Sequence, residues 1–209
     1  LTGLVMQHAA MIFLGVYADA VDLGMYAISA RISMLLFFPL AALITIFAPK
    51  IAVMVREGNV SEVTKLSKQC SLILSISVIP VSLILGIFAE EILGLFGESF
   101  VGGVSVLHVL LVGVATNAIT GPVGHILMMS GYETVVRNVA IISALLTVGL
   151  CMTLIPVLGN LGAAIATATG VVINNIILTY EVKRLLGFVP IMIPTIKGIK
   201  TIFLSMWKP

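Results

Sequence analysis

Charge is scarce in this sequence. Only 11 Lys and Arg and 9 Asp and Glu stand among 209 residues. That is 10 % of the chain, against about 25 % in an ordinary soluble domain. So few ionisable side chains cannot clothe a water-soluble surface of this size, and soluble fold classes are excluded. Cysteine is equally sparse. Cys70 and Cys151 give neither a disulfide framework nor a metal-ligand spacing, and behave as small apolar packing residues. The net charge of +2 is small, and no basic run is interleaved with aromatics, which argues against a nucleic-acid partner. Strand-type alternation is missing, so a β-barrel is not expected. No nucleophile stands with a base, and there is no phosphate-cradling loop or catalytic carboxylate pair, so an enzyme and an organic or metal cofactor are not expected.

What is present is apolar sequence. Hydrophobic residues make up 60 % of the chain, and the mean hydropathy is +1.22. At about 20 residues per membrane crossing, hydropathy and charge breaks divide the chain into six candidate transmembrane helices. They are Leu1–Ala18, Leu23–Val55, Ser71–Ala89, Val104–Ser130, Val139–Pro156 and Leu161–Val182. The fold expected is an all-α integral membrane protein, a six-helix transmembrane bundle over 1–188. Residues 189–209 are read as a cytoplasmic tail or the start of a further span. The second span is long enough to tilt, kink or extend beyond the bilayer. Pro39, Pro80 and Pro122 fall inside the second, third and fourth spans, where bends are expected. The first residues carry no charged region and no small-residue cleavage site, so they are not read as a signal peptide but as the edge of a fragment.

The few charges are sorted. Lys50, Arg56, Lys65 and Lys68, then Arg137, then Lys183, Arg184, Lys197, Lys200 and Lys208 occupy alternate connections. Asp19, Asp22, Glu90, Glu91 and Glu98 occupy the opposite ones. By the positive-inside rule the basic side is cytoplasmic, which places both ends of the chain in the cytoplasm after an even number of crossings of the cell membrane. Glu133 and Arg137 are spaced for an i,i+4 pair at the basic side. The stretch 90–103 reads as a short amphipathic element along the outer interface.

Arg31 is the basic residue left over, about 12 Å below the outer surface if counted from Leu23 at 1.5 Å per residue. An arginine at that depth faces a protein interior or a wet cavity, and suits an anionic ligand such as a phosphate or pyrophosphate. The alternative is an ion pair with Asp19 or Asp22, or snorkelling. Gln7 and His8 in the first span either line a cavity or hydrogen-bond a neighbouring helix. His125 shares a helical face with Asn117, Gly121 and Gly124, a stripe that suits a polar cavity or close packing. His108 and His125 have no second ligand at metal spacing. The last span repeats Ala163, Thr167, Gly170 and Asn174 at three- and four-residue intervals, the spacing of close helix packing, with Asn174 a candidate cavity residue.

The stretch LIPVLGNLGAAIATATG, 154–170, resembles the LIP-x-x-G-x-x-GAA-x-AT pattern of polysaccharide-export proteins. These are the lipid-linked oligosaccharide flippases of the multidrug/oligosaccharidyl-lipid/polysaccharide exporter (MATE-like) superfamily. GPVGHILMMSGYE at 121–133 is similar to the segment preceding that motif, and FLGVYADAVDLGMYAISARI at 13–32, the segment at Pro49 and LFGESF at 95–100 fall in the same order. The resemblance covers nearly all of 1–188. It implies a two-lobed α-helical transporter working by alternating access, with this chain as its C-terminal lobe. A missing N-terminal lobe and the lipid bilayer would be its partners, and a polyprenyl-phosphate-linked sugar its substrate. On that view Arg31 contacts the head group, with Gln7 and His8 as further contacts. Two positions depart from the family: Ala10 stands where many relatives have an acid, and Thr147 near where many have Asn, which puts ion coupling through the first span in question.

Two other functions fit less of the sequence. A drug/cation antiporter of the same superfamily would place acids in its cavity. A membrane-embedded glycan polymerase or ligase would carry a large Arg-rich outer loop, whereas the outer connections here are short and acidic. A half-size protein packing against a partner is the remaining alternative.

Overall fold

The computed structural model describes the backbone of residues 2–191 and the side chains of residues 8–191. Among these residues the chain is all helical, with no strand. The helices are α1 (Thr2–Tyr17), α2 (Ala20–Leu35), α3 (Phe38–Arg56), α4 (Val60–Ile87), α5 (Ala89–Gly94), α6 (Val104–Thr120), α7 (Val123–Met129) and α8 (Glu133–Leu186), with a 3-10 turn at Glu98–Gly103 before α6. Four helical stretches are long and apolar enough to cross a membrane: Ala20–Arg56, Val60–Ile87, Glu98–Thr120 and Glu133–Leu186, beside a shorter apolar helix, His8–Tyr17. The chain is thus a helical, membrane-embedded protein.

Each helix end has a local cause. Asn59 caps α4 by accepting a hydrogen bond from the Glu62 amide at 3.3 Å. The expected second span, Leu23–Val55, is broken by a turn at Leu36 and Phe37. Pro39 is therefore not buried in a long helix but sits in the first turn of α3, where a missing N–H costs nothing. The prolines inside helices are Pro49, Pro80 and Pro156. Pro122 instead caps α7, because Gly121 leaves the helical path at φ 73°.

α8 is two arms. Gly159 breaks the helix at φ 56° and ψ −131°, a conformation closed to residues with a Cβ. The arms then lie side by side: Gly162 packs against the carbonyl of Leu154, and residues equally far from Gly159, Thr147 and Val171, line one cavity. The turn expected after Pro156 is thereby located at Gly159. Asp22 closes it from α2, accepting a 2.9 Å hydrogen bond from the Asn160 amide.

Three buried clusters hold the bundle. The first joins Ala10 and Leu14 of α1 to Tyr26, Leu110, Cys151, Ile155 and Ala163. The second packs Ile32 and Leu36 against Leu74, Leu93, Leu107 and Leu111. The third, towards the basic side, gathers Ile51, Val63, Ile126, Val139, Leu178 and Val182. Both cysteines are buried and unpaired, Cys151 within the first cluster, as their apolar reading expects. α6 is central, and its Gly113 meets the Cα of Ala168, so a Cβ there would stand only 3.3 Å away. Small residues at helix crossings are what permit such approach where no hydrophobic force separates helix from lipid.

Gly162→Ala should destabilise the protein by about 1–3 kcal/mol, since its methyl group must enter the Leu154 carbonyl. Gly149→Ala, which opens onto free space, should not. Thermal unfolding of both variants in detergent checks the pair, and equal melting would contradict the reversal.

Candidate functional site

Between α2, α6 and both arms of α8 lies a cavity of about 610 Å³. Its polar wall residues are Tyr26, Ser33, Asn117, Thr147 and Thr167, and the rest of the wall is apolar, including Phe37 and Val114. Among the described residues, no charged side chain lines it. The volume falls within the roughly 300–1,000 Å³ of small-molecule pockets, and the mix of apolar wall and few polar groups is also theirs.

The polar groups are held by the helices that carry them. Ser33 donates to the Ser29 carbonyl at 2.9 Å, Thr147 to Ser143 at 2.8 Å and Thr167 to Ala163 at 2.9 Å. Hydroxyls four residues after a carbonyl commonly bond back to it in helices. Tyr26 crosses from α2 to reach the Thr167 hydroxyl at 2.9 Å.

Beside the cavity, the end of α6 releases carbonyls that α7 does not pick up, and α4 supplies donors. Ser71 donates to the Ile119 carbonyl and Ser75 to that of Ala118 at 3.4 Å. Thr120 and Asn175 bond at 3.0 Å, and the Asn175 amide returns to the Val171 carbonyl at 2.9 Å. Near the start of α6, His108 Nε2 donates to the Gly86 carbonyl at 2.9 Å, satisfying one of the orphan carbonyls that close α4.

The residues singled out from sequence are dispersed. Asn117 lines the cavity. Arg31 is exposed and outside the cavity lining, although its neighbour Ala30 is part of it. No ion pair joins Arg31 to an acid among the described residues: Asp22 is bonded to Asn160 instead. His8 is exposed on α1, and the side chain of Gln7 lies outside the described residues. His125 does not continue the helical face of Asn117, because the chain breaks at Gly121; it lies instead near Phe47, Ile51 and Cys70 at a small crevice. Asn174 is half-buried and absent from the cavity wall, while its neighbour Asn175 is the buried, bonded amide. Among the described residues Glu133 and Arg137 form no ion pair, and the pair on that side is Glu181 with Arg184 at 3.4 Å. The stretch expected along the outer interface is α5 with the 3-10 turn, folded onto α2 so that Phe100 covers Gly24.

Sequence reasoning missed Tyr26, Ser33 and Thr147 as cavity residues, and read Thr167 as helix packing alone. The signal was available only in part: hydroxyl residues in apolar helices are common, and which of them converge depends on the reversal at Gly159.

The geometry defines an all-α membrane protein with a cavity inside its helical bundle whose described wall residues carry no charge. No protein-family model matches the chain, and no curated protein sequence matches it.

The Tyr26 to Thr167 bond should couple α2 to α8 by about 0.6 kcal/mol, the usual value between membrane helices. A double-mutant cycle of Tyr26→Phe and Thr167→Val, read by unfolding in detergent, measures it. Strict additivity would contradict the contact.

Proposed function

We propose that this chain is one lobe of a flippase that exports a lipid-linked oligosaccharide or polysaccharide precursor across the cell membrane by alternating access. The observation that carries the reading is Arg31. It stands within an apolar helical stretch of membrane-spanning length, is exposed, and forms no ion pair among the described residues. A guanidinium at membrane depth requires an anion or water, and a substrate pyrophosphate supplies the anion. The family resemblance supports the same reading. Its stretch 154–170 forms the reversal at Gly159 and contributes Thr167 and Ala168 to the cavity wall.

In this reading α1, the two arms of α8 and the stretches 20–56, 60–87 and 98–120 give six spans. The acids near Asp22 and Glu91 face outward, and the basic residues near Lys65 and Lys183 face the cytoplasm. Transport needs no covalent chemistry. Substrate binds where Arg31 meets the second lobe, and rocking of the lobes exposes it to the other side. Asn117 reaches the substrate from the cavity, and Gln7, His8, His125 and Asn174 are more distant contacts. A cation antiporter fits less well, since an acid would be needed where Thr147, Asn117 and Tyr26 stand.

In the complete transporter, Arg31→Ala should abolish export of lipid-linked sugar, and Arg31→Lys should keep part of it, because the point charge remains but the bidentate fork is lost. Normal export by Arg31→Ala would remove the head-group role. The orientation has its own test. Cysteines placed at Lys65 and Glu91 should react with a membrane-impermeant maleimide from opposite faces of intact cells and inverted vesicles, and labelling from one face would refute it.

A further inference from the structure

The cavity wall has an unequal supply of hydrogen-bonding groups. A serine, threonine or tyrosine hydroxyl has one proton to give and lone pairs to receive. Ser33, Thr147 and Thr167 give theirs to the carbonyls of Ser29, Ser143 and Ala163. A carbonyl cannot donate, so the direction of these three bonds is fixed. With the Thr167 proton committed to Ala163, the bond between Tyr26 and Thr167 has Tyr26 as its donor. All four hydroxyls among the described wall residues therefore spend their protons inside the protein and can only accept from a ligand, and among those residues the Asn117 carboxamide supplies the N–H donors.

Such a wall repels an anion, whose oxygens would meet oxygen lone pairs. A full cation would find acceptors but no countercharge, and burying it unpaired is costly. A neutral ligand rich in O–H donors fits both conditions. Its apolar C–H faces suit Phe37 and the aliphatic remainder of the wall. We infer that this cavity is a binding site for an uncharged glycosyl group, separate from any phosphate contact at Arg31. The inference rests on the export reading only for the source of the sugar, which is then the glycan carried by the lipid; the donor and acceptor inventory stands without it.

The test uses the 209-residue chain in nanodiscs and calorimetric titration with hexyl β-glucoside, hexyl phosphate, hexylammonium and free glucose. Hexyl glucoside should bind saturably, and the phosphate and ammonium probes should neither bind the cavity nor compete. Thr167→Val should weaken glucoside binding about fivefold, the worth of one hydrogen bond, while Thr167→Ser should restore it. Thr167→Val also frees the Tyr26 proton as a donor into the cavity, so that variant should gain affinity for hexyl phosphate. A variant that merely misfolds would lose binding to every probe and could not gain one. Thr153→Val, on an exposed part of α8, should bind glucoside as the unaltered chain does. Hexyl phosphate that displaces the glucoside from the unaltered chain, no glucoside binding, or an effect of Thr167→Val equal to that of Thr153→Val would each overturn the inference. Glucose binding as tightly as hexyl glucoside would replace a lipid-linked source with a free sugar. Glucoside binding that depends on Thr167, together with normal export by Arg31→Ala, would overturn the head-group role and leave the cavity assignment standing.

Discussion

A backbone carbonyl released inside an apolar bundle has no water to turn to, and the structure is organised around that requirement. At the ends of α4 and α6, a side chain from another helix arrives. His108 meets Gly86 at the end of α4, and Ser71 and Ser75 of α4 meet Ile119 and Ala118 at the end of α6. These contacts fix which helices are neighbours. α4 cannot leave α6 without stranding carbonyls, each worth about 1–3 kcal/mol if buried unsatisfied. The apolar clusters fill the space so defined but, being non-directional, do not choose it.

The same economy shapes the cavity. In lipid, a hydroxyl on a helix meets its need most cheaply at the carbonyl one turn back, as Ser33, Thr147 and Thr167 do. Stability and recognition are thereby connected. Protons spent on the helix are withdrawn from the ligand, and the surface left is one of oxygen lone pairs and apolar groups. Tyr26 adds an aromatic edge and ties α2 to the second arm of α8. The reversal at Gly159, held by Asp22 and Asn160, brings Thr147 into the same wall as Thr167 and Val171.

Arg31 stands apart from this arrangement. It is carried by the helix that lines the cavity, one residue from Ala30, yet is exposed away from it. On the proposed reading, phosphate and sugar contacts fall on adjacent surfaces of α2. An amphipathic ligand with a charged link and a neutral glycan would meet each where the solvation cost is lowest.

Much of the architecture was legible in one dimension. The scarcity of charge dictated a membrane protein, because apolar helices of this length have no soluble home. The separation of Asp19, Asp22, Glu90, Glu91 and Glu98 from the basic connections divided the chain into its helical stretches. Gly and Pro marked breaks, but not their exact place. Pro39 was read inside a span and begins a helix; Gly121 was read as part of a helical stripe and ends one. Periodicity continues through a break unless the backbone angle there is known, which is why His125 was placed with Asn117. Local composition and hydrogen-bonding demand therefore determined that this chain forms apolar helices. Which hydroxyls share a wall, that Asn175 rather than Asn174 is the buried amide, and that Asp22 binds Asn160 were decided by the tertiary structure alone. Those relations join residues more than fifty positions apart, and only the three-dimensional packing of helices, set by small-residue crossings and stranded carbonyls, brings them within bonding distance.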